Sequence, residues 1–221
     1  MPGKTMPGTT MPGKTIVGKI LRKDVSRKPL ITIVVFAFIL LSALLVASGS
    51  NLIVELTSSL DALLETAKAP HFVHMHAGAV DHAEIERWAA ANDLVEAQQT
   101  VEMVTVDGSA LYLGDSESAE EDSVMDISFV TQNRAFDFLL DLDNRVIDLS
   151  PGEVAVPIYY MERDDLELGD TVKISDGVFE RTLTVAAFVR DAQMNPAIVH
   201  SKRFLVHADD YGALNEHFAD T

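Results

Sequence analysis

The chain has no cysteine, so neither a disulfide framework nor a thiol nucleophile is available to it. It also lacks a G-x-S-x-G nucleophile elbow and an H-E-x-x-H zinc pair, and the spacing of its Ser, His and Asp residues nominates no triad. Charge is absent altogether from residue 30 to residue 47. Acid is nearly absent from the first 28 residues, where Asp24 stands against Lys4, Lys14, Lys19, Arg22, Lys23, Arg27 and Lys28. The rest of the chain reverses that balance, with ten basic and thirty-three acidic residues, a net of −23. Such a surface excludes nucleic acid and anionic lipid as partners of the larger part. It does not signal disorder, because apolar residues are plentiful throughout.

The charge-free run LITIVVFAFILLSALLVA is apolar on every face, with Thr32 and Ser42 its only polar side chains. Eighteen helical residues reach about 27 Å, close to the roughly 30 Å hydrocarbon core of a bilayer. This predicts a transmembrane helix over 29–50. The basic flank before it places the N-terminus in the cytoplasm and everything after Ser50 outside. A cleaved signal peptide is the competing reading, with L-V-A-S-G as a loose cleavage site. The run is longer than a signal core, however, and the residues after it continue as helix.

Residues 1–15 repeat a pentamer, MPGKT-MPGTT-MPGKT, whose recurring Pro and Gly predict an extension without regular structure. Within it, residues 8–15 match the phosphate-loop pattern G-x-x-x-x-G-K-[ST]. No strand precedes the match and the repeat itself generates it, so it is read as spurious. Residues 16–28 predict a basic amphipathic segment at the cytoplasmic interface, with Ile16, Val17, Ile20 and Leu21 on one face.

Beyond the membrane run, Ile53, Leu56, Leu60, Leu63 and Ala67 are spaced three, four, three, four. That is a heptad seam on a stalk helix over 51–69, ended by Pro70. Two readings of the seam stay open: packing on the chain's own outer domain, or pairing with a second stalk helix. The outer domain, 70–221, holds about 150 residues, enough for one core with room for two lobes. Its fold class is α+β. Strands are expected over 71–78, 94–106, 124–131, 153–157, 171–175, 179–190 and 204–207. Helices are expected after Asp81, over 135–140 and over 208–218, and Asp176-Gly177 predicts a hairpin turn. The first two strands with the helix between them predict a β-α-β unit.

Among side chains that could carry chemistry, His71, His74, His76 and His82 cluster in sequence. Two histidines two apart on a strand can share a metal, but a full site needs further ligands, so no metal site is expected here. The acidic stretch DSESAEED at 115–122 lacks the central Gly and spacing of an EF-hand loop. The paired acids Asp141/Asp143, Asp164/Asp165 and Asp209/Asp210 follow from the acidic composition. No catalytic residue, cofactor site or cofactor is nominated.

A resemblance adds to this reading. The segment PGEVAVPIYYMERDDLELGDTVKI (151–174) resembles the MacB-like core domain of ABC transporter permeases of the FtsX-like superfamily. There a Gly-Glu strand precedes a short helix and then L-x-x-G-D-x-V. Gly152, Glu153, Leu166, Gly169, Asp170 and Val172 stand in those places. The stretches APHFVHMHAG, SVMDISFV, FDFLLDL and FVRDAQMNP are similar to permeases of this type as well. The resemblance implies a mechanical, non-catalytic subunit that pairs with a second permease subunit and with cytoplasmic ABC ATPases. Stalk helices would carry ATPase motion to the outer domain, which moves or releases an extracytoplasmic substrate. Such permeases carry three more membrane helices and a coupling segment after the outer domain. On the resemblance, a chain stopping at Thr221 is their N-terminal part. A membrane-tethered binding or adhesion protein is the alternative, and a histidine-based metal enzyme or sensor a third.

Overall fold

No proline or charge interrupts the apolar run, and the sequence after it remains helix-tolerant up to Pro70. The result is one 39-residue helix, α1 (Pro29–Ala67), in the computed structural model, which describes residues 29–124, 126–194 and 201–219. Proline opens the helix, where its missing N–H costs nothing. Lys68 ends it in the left-handed region at φ 49°, and Pro70 prevents resumption. Among the described residues α1 is the one helix long and apolar enough to cross a membrane. The pentamer repeat, its phosphate-loop match and segment 16–28 lie outside the described residues.

The described residues form two compact units, one ending at Ser59 and one beginning at Leu60. The first is helical, and its large apolar side chains are exposed from Leu30 to Leu56. The second is α+β and contains the last two turns of α1. Its strands are β1 (Val104–Val106), β2 (Leu111–Leu113), β3 (Asp126–Val130), β4 (Glu153–Pro157), β5 (Thr171–Ser175), β6 (Glu180–Val189) and β7 (Ser201–Val206). They form one mixed sheet in the order β1-β3-β7-β4-β6-β5-β2. Helices α2 (His82–Ala90), α3 (Ile158–Arg163) and α4 (Ala208–Phe218) complete it. The pairs β3–β7 and β4–β6 are parallel and the others antiparallel.

The two edge strands, β1 and β2, are consecutive in the chain. Only residues 107–110 separate them, including the 3-10 turn Gly108–Ala110. Four residues span at most about 14 Å, so the opposite edges are drawn together and the sheet curls around its core. Period-2 alternation fills that core. Val104 and Val106, Ile127 and Phe129, Val154 and Val156, Val172 and Ile174, Leu183 and Val185, and Phe204 and Val206 all point inward. From α4, Leu214 and Phe218 close it. On the reverse face, Val130, Ala155 and Leu205 pack with Leu139 and Ile147 of the segment before β4. Strand β7 is covered on both faces and is buried at every position.

The expected strands at 153–157 and 171–175 form with those bounds, and 180–189 pairs with 171–175 through the Asp176-Gly177 turn. Three expectations fail. Residues 71–78 form no strand, because no neighbouring strand offers them a ladder, and Phe72 is left 80% exposed. Of 94–106 only Val104–Val106 pairs, with β3 as its single partner, so the β-α-β unit does not exist. Residues 135–140 are not helical. The amides of Asp137 and Phe138 donate instead to the carbonyls of Lys68 and Ala67, at 3.0 and 2.8 Å.

Candidate functional site

The heptad seam divides. Ile53, Leu56 and Leu60 are exposed, at 67%, 69% and 50%, whereas Leu63 and Ala67 are buried against Phe138, Leu140 and Ala192. Packing on the chain's own domain therefore accounts for the lower end of the seam and leaves the upper end uncovered. The buried end is held by more than apolar contact. Asp137, itself at φ 56°, places its carboxylate on the guanidinium of Arg203 in β7, with Nη1 to Oδ2 at 2.6 Å. Arg203 also grips Asp191, with Nε to Oδ2 at 2.7 Å and Nη2 to Oδ1 at 2.6 Å. All three side chains are buried. Burial alone would weaken the guanidinium's hold on its proton, but hydrogen bonds to Asp191 and Asp137 raise its pKa above the ordinary value. Beside this joint lies a cavity of about 120 Å³, lined by Leu63, Ile158, Val189, Asp191, Met194 and Arg203 among others.

The segment between Gln132 and Leu140 is pinned along its length. Gln132 donates to the carbonyls of Leu139 and Ile147 and accepts from the Leu139 amide. Asn133 donates to the Asp137 carbonyl at 2.6 Å and to its carboxylate at 3.1 Å. Gln99 reaches the Phe136 carbonyl at 2.8 Å. These bonds replace the helix that local propensity favours.

The residues of the Gly-Glu and Gly-Asp motif make corners of the fold. Gly152 sits at φ 85° and donates its amide to Asp210 of α4. Glu153 accepts from the Ser150 amide at 2.7 Å, tightening the turn into β4. Leu166 and Val172 are core residues. Gly169, at φ 97°, donates to the Val185 carbonyl, and the Val185 amide returns to the Asp170 carbonyl, both at 2.8 Å. The Asp170 carboxylate accepts from the Glu167 amide. The motif thus clamps the approach to β5 onto β6. Its geometry is structural and does not converge on the Arg203 joint.

Facing the opposite side of β7, Lys202 is 1% exposed, with its ammonium 2.9 Å from the Tyr160 hydroxyl and 3.4 Å from Ser123 Oγ. It lies over the rings of Tyr159 and Tyr160, 4.4 Å from each centroid. Burial, and then the nearby Arg163 charge, push its pKa down to about 8. Burial and the Glu120 charge push the Tyr160 hydroxyl above its ordinary range. Arg163 pairs with Glu120 at 2.5 Å and with Asp164. The acidic stretch 115–122 is therefore tied down through Glu120.

His71, His74 and His76 lie on exposed irregular chain and His82 opens α2. Among the described residues no three His, Asp or Glu side chains come together in a metal-binding group. Neither Lys202 nor Arg203 was foreseeable as a functional candidate from spacing. The available signal was the dipeptide itself, since adjacent cations within an apolar strand must face opposite sides. No protein-family model matches the chain, and no curated protein aligns with it significantly.

Proposed function

We propose that this chain is the N-terminal part of an ABC-type permease subunit of the FtsX-like kind, with its N-terminus cytoplasmic and its sheet domain outside the membrane. In this reading α1 carries motion from an ATPase-coupled membrane assembly to the sheet domain, which moves or releases an extracytoplasmic substrate. A second permease subunit would cover part of the stalk. The observation that carries the reading is the unbroken passage of α1 from its apolar run into two turns that are built into the sheet domain. A flexible tether would need no such joint, because a tether only limits distance. The exposed Ile53, Leu56 and Leu60 supply a face for a further helix, and the basic flank supplies the orientation.

A membrane-tethered binding protein is the second reading. It is favoured by Phe72, Trp88 and Leu94, large apolar side chains exposed on the chain around α2. Purifying the protein from its own cells in mild detergent separates the two. Recovery of a cytoplasmic ABC ATPase in stoichiometric amount is expected. Its absence, with an extracytoplasmic protein captured instead, would leave the tethered binder standing.

A further inference from the structure

We infer that Arg203 is a positioning residue that locks the end of α1 to the sheet, making the joint a rigid charge clasp and not a hinge. The inference rests on the reading of α1 as a carrier of motion, and it names the residues through which that motion would enter the domain.

Only two apolar residues of α1, Leu63 and Ala67, are buried in the sheet domain, which by itself is a small hydrophobic anchor. At the helix end two backbone bonds add to it, from Asp137 to the Lys68 carbonyl and from Phe138 to the Ala67 carbonyl. These satisfy carbonyls that a helix terminus leaves open. Asp137 makes its bond at φ 56°, a left-handed conformation that a non-glycine residue adopts at some cost. The carboxylate of Asp137 holds that residue in place. It is bound by both Nη atoms of Arg203, at 2.6 and 3.2 Å, while its own backbone carbonyl is held by Asn133.

Arg203 cannot easily turn away. Its remaining face is occupied by Asp191, whose Oδ1 also accepts the amides of Gln193 and Met194 at 2.8 Å. The guanidinium lies on β7, which pairs with β3 on one side and β4 on the other. A displacement of the end of α1 therefore passes through two backbone bonds and one buried bidentate pair to the centre of the sheet. Desolvation makes the pair stiff as well as costly to break, because neither partner has water to fall back on.

The absence of cysteine makes the test direct, since every introduced thiol is unique. The full chain in detergent would carry spin labels at Asp61→Cys and Thr182→Cys, both exposed positions, and their distance distribution would be measured by pulsed electron resonance. A narrow distribution is expected in the otherwise unchanged chain. With Arg203→Met or Asp137→Gly it should broaden about twofold as the joint loosens. A control pair within the sheet, Asp126→Cys and Thr182→Cys, should stay narrow in both. Arg203→Lys, which restores one charged bond, should recover part of the narrowing.

Arg203→Met leaves two buried aspartates unpaired and can fail to fold. Asp137→Gly then decides, because it keeps the Arg203–Asp191 pair and suits the positive φ. An unchanged distribution in Asp137→Gly overturns the clasp. Broadening of the control pair as well overturns it too, since the triad would then be holding the sheet itself. No ATPase takes part in this measurement. A clasp that behaves as expected while no ATPase co-purifies would sink the permease reading alone, and an unchanged distribution beside a recovered ATPase would sink the clasp alone.

Discussion

The amide of Gly152 donates to Oδ2 of Asp210 at 2.7 Å, joining the start of β4 to the closing helix across fifty-eight positions of sequence. The other carboxylate oxygen of Asp210 takes the guanidinium of Arg181 from β6. One fully buried side chain thus ties β4, β6 and α4 together. Replacing it leaves the half-buried Gly152 amide without its protein partner.

Asp210→Ala should therefore cost about 1–2 kcal/mol, most of it from the lost bond to the Gly152 amide. Arg181 is more than one-third exposed and recovers water, so its lost pairing adds little. Asp210→Asn keeps an oxygen for Gly152 and should cost about half as much. Thermal unfolding followed by circular dichroism ranks the three proteins. Equal midpoints for the two variants would mean that the charge, not the amide bond, is what matters.

Gly108 makes a different prediction. A methyl group on its α-carbon would lie 2.3 Å from the backbone carbonyl oxygen of Glu120. That carbonyl cannot swing aside freely, because Glu120 is held by its amide on Leu111, by Ser123 on its carbonyl and by Arg163 on its side chain. Gly108→Ala should destabilise the domain by about 1–3 kcal/mol. The damage should appear in hydrogen exchange first at β1 and β2, the sheet edges that this turn joins. Unchanged protection at both strands would show that the turn yields.

The alternating strands were legible because each carries its own period-2 signal, as in Val154 with Val156 and Val172 with Ile174. The membrane-length part of α1 was legible because nothing charged interrupts residues 30–47. What sequence could not show is pairing over distance. Residues 71–78 look like a strand until a partner is sought, and residues 135–140 look like a helix until the open carbonyls of Ala67 and Lys68 compete for their amides. The Arg203 joint was hidden for a related reason. Asp137 lies 66 positions and Asp191 12 positions before Arg203, and in so acidic a chain no single aspartate stands out. The seam on α1 was visible, but its division at Leu63 depends on where residues 138–140 return.

Lys202 predicts an unusual dependence on pH. Its ammonium is held down at about 8 in the folded protein, against an ordinary value of 10.5. Between these values the unfolded chain binds a proton that the folded chain lacks, so stability rises as pH rises from about 8 toward 10. The full gain is at most about 3 kcal/mol. Above pH 10 Tyr160 opposes it, because its raised pKa favours ionisation of the unfolded chain. Unfolding midpoints at pH 7, 8, 9 and 10 should climb in the parent. In Lys202→Met the climb should vanish, leaving a higher midpoint at pH 7. A parallel climb in both proteins would place the titrating group elsewhere.

The divided seam separates two roles along one helix face. Leu63 is 7% exposed and packs against Leu140, so Leu63→Asp buries a carboxylate with no partner. A loss of about 3 kcal/mol or more is expected, with exchange protection falling at residues 63–68 and 137–140 together. Leu56 is 69% exposed, so Leu56→Asp should leave the unfolding midpoint of the isolated chain unchanged within about 0.5 kcal/mol. On the proposed permease reading, its effect should emerge only in the assembled membrane complex, as reduced recovery of partner subunits. Ile53→Asp should behave like Leu56→Asp, because it shares that face and exposure. If Leu56→Asp leaves recovery of the complex intact as well, the exposed half of the seam is ordinary surface. The permease reading would then lose its second stalk helix while the joint at Leu63 remained.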